Sequence, residues 1–288
     1  MRLVQFEFKE RMSVGVELVD GGDVVDLHSV DSSIPTDMKN FLESFEKLKA
    51  KAQRILESGK GVISRAEVKL KAPIYNPEKV LCGGMNYVDH CREQNALIPK
   101  EPIFFSKFAN AIIGTGDPII LNSEVKELDY EVELAFIIGK TGKNIKEEDA
   151  MNHVAGYTVA HDVSERYWQL QKNAGQWFLG KTFDTFCPLG PALVTKDSVS
   201  DVNKLGIRCC VNGQVRQDSN TENLIFKIPT IIAFVSRLFT LKCGDVILTG
   251  TPPGVGVFKK PPIFLKDGDV VQCEIDEIGC IKNQIQTE

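Results

Sequence analysis

The stretch LDYEVELAFIIGK, residues 128–140, decides the fold, because it opens as an alternating β-strand and ends as a continuous apolar run. Side chains alternate across a strand, so Asp129, Glu131 and Glu133 share one face while Tyr130, Val132 and Leu134 take the other. The second set reads as core. Carboxylates two positions apart lie about 7 Å from each other and repel by roughly 2 to 4 kcal/mol at an effective dielectric of about 20. A strand carrying three acids on one face therefore calls for positive charge among them; the plainer alternative is a solvated strand face.

Around this strand the chain is that of an ordinary globular protein. Its 288 residues, 43% hydrophobic and 25% charged, suffice for one large domain with an appendage and exclude a disordered chain. A net charge of -5 excludes electrostatic capture of nucleic acid or anionic lipid, which needs concentrated Lys and Arg, and leaves small molecules as the expected partners. No apolar run approaches a membrane span, since Ile231–Val235 is soon followed by Arg237. The eight cysteines form no C-x-x-C and read as reduced, mostly buried thiols, which suits an intracellular compartment. Glu7 and Glu10 spoil a secretory or transit segment, so no targeting segment is visible, and a mitochondrial matrix or cytoplasmic location fits equally.

Alternating runs at residues 1–8 and 14–27, divided by polar residues and Gly21-Gly22, predict a small antiparallel sheet. Met38, Leu42, Phe45, Leu48, Ala52 and Ile55 recur at helical spacing and predict one helix over 37–58, stopped at Gly59. From Ala72-Pro73 onward short strands punctuated by Gly and Pro take over: 79–82, 103–107, 118–121, 129–138, 156–162, 190–195, 206–211, 245–249 and 269–276. Asn212-Gly213 marks a hairpin and Asp267-Gly268 a turn before the strand read as the last long one. The expected class is α+β, a roll of mixed and antiparallel strands (72–288) with a small N-terminal sheet-plus-helix domain (1–71).

Four segments carry candidate chemistry. Glu131 and Glu133 suit a hard divalent cation, with Asp162 at the end of GYTVAHD as a possible third ligand or merely a turn residue. In CGGMNYVDHCRE (82–93) the glycines stop a strand, Asn86 is placed to cap a short helix, and His90 and Glu93 at i and i+3 form either a general-base pair or a surface ion pair. GKTFDTFCPLGP (180–191) sets Lys181 in apolar company, as a site residue or an ordinary loop lysine. LTGTPPGVG (248–256) lacks a phosphate-loop ending, and its Pro252-Pro253 obstructs a helix, leaving a tight turn or a wall for a carboxylate or carbonyl.

Together, Gly84-x-Asn86-Tyr87-x-x-His90-x-x-Glu93, Asp129-Tyr130-Glu131-x-Glu133, His161-Asp162-x-Ser164-x-Arg166-x-x-Gln169, Gly180–Asp184 and Gly250-Thr251-Pro252-x-Gly254-x-Gly256 resemble the fumarylacetoacetate hydrolase family, in order from about residue 72 to the end. The resemblance implies a β-rich roll, a homodimer, and Mg²⁺ or Mn²⁺ on Glu131, Glu133 and Asp162. It implies a catalytic dyad of His90 and Glu93 on a lid, ligand contacts from Lys181, Gln169 and Thr251, an orienting role for Asp129, and an Arg166 that binds a substrate carboxylate or braces the metal loop. Met85 and Glu165-Arg166-Tyr167 depart from the family pattern, which bears on substrate detail. The implied chemistry is that of a 2-oxo acid or 1,3-dicarbonyl passing through a metal-held enolate. Oxaloacetate keto-enol tautomerisation is favoured, with Lys181 in proton transfer or enolate stabilisation; acylpyruvate or fumarylacetoacetate-type C–C hydrolysis and oxaloacetate decarboxylation are the rivals. A metal-binding scaffold without catalysis is a further class.

Overall fold

The computed structural model describes all residues 1–288. A large sheet runs, edge to edge, through Val62–Ile63, Val24–Asp26, Arg11–Glu17, Arg2–Phe8, Cys187–Thr195, Val154–His161, Val132–Ile138, Val246–Leu248, Val80–Gly84 and Ile103–Lys107, with two short strands paired off this path. A second sheet orders Gln214–Asn220, Gly206–Val211, Val270–Ile275, Gly279–Thr287 and Ile119–Leu121. Most pairings are antiparallel, but Val246–Leu248 runs parallel to Val80–Gly84, and Gly279–Thr287 parallel to Ile119–Leu121. The β-rich α+β class is the one expected.

The apolar half of the opening strand is continuous because both of its faces are covered. Val132, Leu134, Phe136 and Ile138 join a core with Ile207, Ile275 and Ile281 of the second sheet. Ala135 and Ile137 face the other way, into a core with Leu27, Phe41, Leu42 and Leu48 of the N-terminal part. Residues 1–71 thus share a sheet with the strands after residue 72, through Arg2–Phe8 against Cys187–Thr195, and a core with them.

Four local expectations need correcting. The opening strand over 129–138 is two, Leu128–Asp129, which pairs with Ser164–Glu165 in a sheet of its own, and Val132–Ile138, with Tyr130 and Glu131 between them. The single helix over 37–58 is two, Met38–Glu43 and Phe45–Ser58, because Ser44 leaves helical geometry at φ -116 and ψ 20. Its N-terminal cap is Asp37, which accepts from Asn40 N at 3.0 Å, and Gly59 ends it in the left-handed region that glycine takes without steric cost. The last long strand is Gly279–Thr287, reached by a further turn in which Glu277 and Gly279 have positive φ. Asn86 caps no helix: its amide donates to Phe226 O and Thr249 O and accepts from Phe226 N, so it ties the foot of the Val88–Glu93 helix to two other segments.

Candidate active site

The strand Val132–Ile138 and its antiparallel neighbour Val154–His161 pair with Val132 opposite His161, which brings Glu131, Glu133 and Asp162 to one end of the sheet. All three are buried, and one carboxylate oxygen from each lies within 4.8 Å of the others. The positive charge the sequence calls for is there. Arg166 donates through Nε to Asp129 (2.8 Å) and through Nη2 to Glu131 (2.6 Å), and Lys181 Nζ bridges Glu131 (2.7 Å) and Asp162 (2.8 Å). Lys107, to which nothing in the sequence pointed, lies 2.7 Å from Asp162 Oδ1. Its hydrogens are directed instead at the carbonyls of Val163, Lys181 and Phe186, so Oδ1 has a neighbouring charge but no aligned donor.

This charge balance divides the acids. Burial alone would raise the Glu131 carboxyl, but Lys181 and Arg166 outweigh it and hold it well below the ordinary range. Glu133 receives only the Gly250 N–H, at 2.7 Å, and is pushed well above that range by burial, Asp162 and Glu131. Burial disfavours the Lys181 ammonium, yet Asp162 and Glu131 keep it charged. Four buried carboxyl groups, counting Asp129, meet three buried cations, so ionising all four would leave one negative charge in excess, which is why Glu133 holds its proton. An all-oxygen cluster with an Asp162 oxygen that has no aligned donor and a carboxyl driven to hold its proton by its neighbours fits a divalent cation, which would relieve that repulsion.

The surrounding residues are built from separate elements. Asp129 accepts from Tyr130 N, Gly256 N and Val257 N as well as Arg166, which welds the loop after residue 250 to the acid strand. Arg166 also donates from Nη1 to Gln169 Oε1 at 2.8 Å, so each of its three nitrogens has a partner and it sits as a brace between acids. Thr251 Oγ1 donates to Val132 O and accepts from Gln217, so its hydroxyl holds the wall together at the pocket rim. Gly250 has φ +106, and a Cβ there would lie 2.9 Å from Asn86 Cβ, so only glycine lets this N–H reach Glu133.

His90 and Glu93 lie on one face of the Val88–Glu93 helix with Nδ1 and Oε2 2.9 Å apart. The helix is docked on the site: Glu93 Oε1 accepts from Gly254 N, and Asp89 accepts from Ser219 and Asn223. His90, Glu131, Glu133, Arg166, Gln169, Lys181 and Thr251 line one small cavity of about 70 Å³, closed by Met85, which the sequence marks only as a departure from the family pattern, and by Gln94, Phe105, Trp177 and Phe258, which sequence reading left out. These belong to apolar or lid segments with no motif of their own. His161 was quoted only within a motif; burial and Lys107 push it down to about 3, so it is neutral beside the acids.

Fold and site define an enzyme with a buried three-carboxylate centre able to hold a metal ion, roofed by a histidine–glutamate helix. A family model described as fumarylacetoacetate (FAA) hydrolase C-terminal matches residues 79–286, and the chain belongs to the fumarylacetoacetate hydrolase family. It is 60% identical over 287 residues to a protein of Xenopus laevis named oxaloacetate tautomerase, mitochondrial, spanning 99% of this chain and 90% of that one. It is 56% identical to a human protein of the same description, spanning 99% and 91%. Among solved structures, maleylpyruvate hydrolase from Sphingobium sp. SYK-6, in complex with manganese(II) ion and pyruvate, superposes with a TM-score of 0.83 at 32% identity, covering 100% of this chain and 99% of that one.

Proposed function

We propose that the protein is a divalent-metal-dependent oxaloacetate keto-enol tautomerase. The observation that carries the proposal is a buried, charged lysine set directly against the three-carboxylate cluster, in a chain so similar to proteins named for that activity. Glu131, Glu133 and Asp162 would hold the cation, Mg²⁺ or Mn²⁺, which when bound supplies positive charge to the carboxylate and 2-oxo oxygens of the substrate. A solved neighbour's manganese and pyruvate support that choice of ligand chemistry. Asp129 and Arg166 would fix the acids' orientation, and Gln169 and Thr251, which line the cavity, are assigned as contacts to the substrate.

In ketonisation the C2 hydroxyl loses a proton while C3 gains one, with no net change in composition. Lys181 is assigned the proton at C3: it is charged, and its Nζ also lies 4.9 Å from the centre of the Phe105 ring at the cavity wall. The apolar cover of Trp177 and Phe258 limits access of water. The test follows enol-oxaloacetate by ultraviolet absorbance with Mg²⁺, with EDTA and with Glu131→Ala, assaying pyruvate in the same samples. Metal-dependent enol loss without pyruvate is expected. Lys181→Ala should abolish it, and Lys181→Arg, which keeps the charge but does not give up its proton, should not restore it. No acceleration by folded, metal-loaded protein would reject the proposal.

A second reading, hydrolysis of an acylpyruvate, is favoured by the His90–Glu93 pair, which has the form of a water-activating dyad. The region 72–288, which contains the family match, is taken as the catalytic unit and 1–71 as its appendage. A homodimer and a mitochondrial matrix location complete the proposal, the latter from the relatives' names. No helix is long and apolar enough to cross a membrane.

A further inference from the structure

The imidazole of His90 is held at both nitrogens. Nδ1 faces Glu93 Oε2 at 2.9 Å, and Nε2 faces the side-chain nitrogen of Gln94 at 2.7 Å. That same nitrogen lies 3.4 Å from Met85 Sδ. A thioether sulfur carries no hydrogen and can only accept, so this contact is a hydrogen bond with the nitrogen end of the amide facing it, as the structure has it. With the amide so oriented, Gln94 also donates to His90, and Nε2 must be the lone-pair nitrogen; the ring proton is then on Nδ1, directed at the Glu93 carboxylate. Met85, the first member of this relay, is in the left-handed region at φ 53, unusual for a side chain of its size, and its carbonyl also accepts from Cys91 Sγ at 3.6 Å. The backbone is thus set where the sulfur can hold Gln94.

We infer that Gln94 is the positioning residue that selects tautomerisation over hydrolysis, by occupying the one lone pair through which His90 could activate water. This rests on the tautomerase reading of the same site. In hydrolysis of an acylpyruvate, water would lose a proton to His90 Nε2 and add to the C4 carbonyl. The C3–C4 bond would then break, its electron pair passing to the pyruvate enolate, and C3 would take up a proton, so that acylpyruvate and water become a carboxylic acid and pyruvate. The first of these steps needs a bare Nε2. Proton transfer at C3 by Lys181 does not, which is why a single hydrogen bond separates the two outcomes. Both arms of the dyad remain in place: Glu93 is anchored by the Gly254 N–H, and His90 is buried against Phe258, ring centres 6.0 Å apart. The machinery for hydrolysis is present and capped.

The experiment compares wild type, Gln94→Leu, close in size, and Gln94→Ala as full-length, Mg²⁺-loaded proteins. Enol-oxaloacetate decay is measured beside acetylpyruvate cleavage, followed by loss of diketone absorbance and appearance of pyruvate. The ratio of cleavage to tautomerisation should rise by about tenfold or more in both variants, since a freed general base is worth about 100-fold or more in favourable cases. His90→Ala combined with Gln94→Leu should remove the gain. A structural role alone would not move the tautomer, so histidine-selective ¹⁵N NMR supplies the second readout. Wild-type His90 should be the Nδ1–H form, with an Nε2 resonance that shifts in Gln94→Leu. An unchanged ratio, a gain that survives loss of His90, or an Nε2–H tautomer in the wild type would each overturn the inference, and the last needs no substitution to fold. Should wild type fail to ketonise oxaloacetate while Gln94→Leu gains absolute cleavage rate, the tautomerase reading falls and the cap on His90 stands.

Discussion

Replacing Lys181 with Met isolates what its ammonium contributes to the acid cluster. Its contacts with Glu131 and Asp162, at 2.7 and 2.8 Å, are each about 6 kcal/mol of attraction at an effective dielectric of about 20. Burying the ammonium costs several kcal/mol, and stranding two carboxylates in its absence brings the expected loss to about 3 to 5 kcal/mol. A divalent cation would neutralise the same oxygens, so the loss should depend on metal. Urea unfolding at neutral pH should show the full deficit in EDTA and a deficit of about 1 to 2 kcal/mol in saturating Mg²⁺, because ligand binding to the folded state adds stability that grows with affinity. The variant should correspondingly bind Mg²⁺ more tightly than wild type. A loss under about 1 kcal/mol in EDTA, or an equal loss with and without Mg²⁺, would refute the assignment of Lys181 as counter-ion and the sharing of its two carboxylates with the cation.

Glu133 carries the opposite burden. Because its carboxyl holds a proton more tightly in the folded than in the unfolded chain, metal-free stability should fall as pH rises from 4.5 toward its raised folded value, and Glu133→Gln should flatten that slope and weaken Mg²⁺ binding in calorimetry. Gly250→Ala forces a side chain into φ +106 and 2.9 Å from Asn86; it should cost about 1 to 3 kcal/mol in thermal unfolding and reduce metal affinity by releasing Glu133 from its N–H. Asn86→Ala strands the Phe226 N–H and the Phe226 and Thr249 carbonyls and should cost about 3 kcal/mol of stability, read by urea unfolding, without touching a metal ligand.

The parts of this molecule legible in its sequence are those carried by local period. Alternation placed Glu131 and Glu133 on one face, and strands such as 103–107 and 206–211 are found at their expected bounds. The continuous run Leu134–Ile138 could not say which elements cover its two faces, and the answer, a second sheet on one side and the N-terminal helices on the other, is tertiary. Asn86 has the composition of a cap, and only the approach of Phe226 and Thr249 gives its amide better partners. The final strand hid because its exposed face is polar and its start depends on two residues with positive φ.

The site itself follows the same division. Acids repeat on a strand and are visible, but the cations that make them tolerable arrive from remote positions. Lys107 comes from the end of the strand Ile103–Lys107, Arg166 from just beyond Ser164–Glu165, and Lys181 from the end of the short helix Phe178–Lys181. Gln94 is just past the end of the Val88–Glu93 helix, where sequence offers only a polar residue after a histidine–glutamate pair. Its meaning comes from an atom with no hydrogen, the sulfur of Met85, that fixes which way an amide faces. A reaction can thus be set by the orientation of one amide while every catalytic residue keeps its place. If the inference on Gln94 holds, the contact that separates the two reactions in this chain lies at a residue its motifs skip.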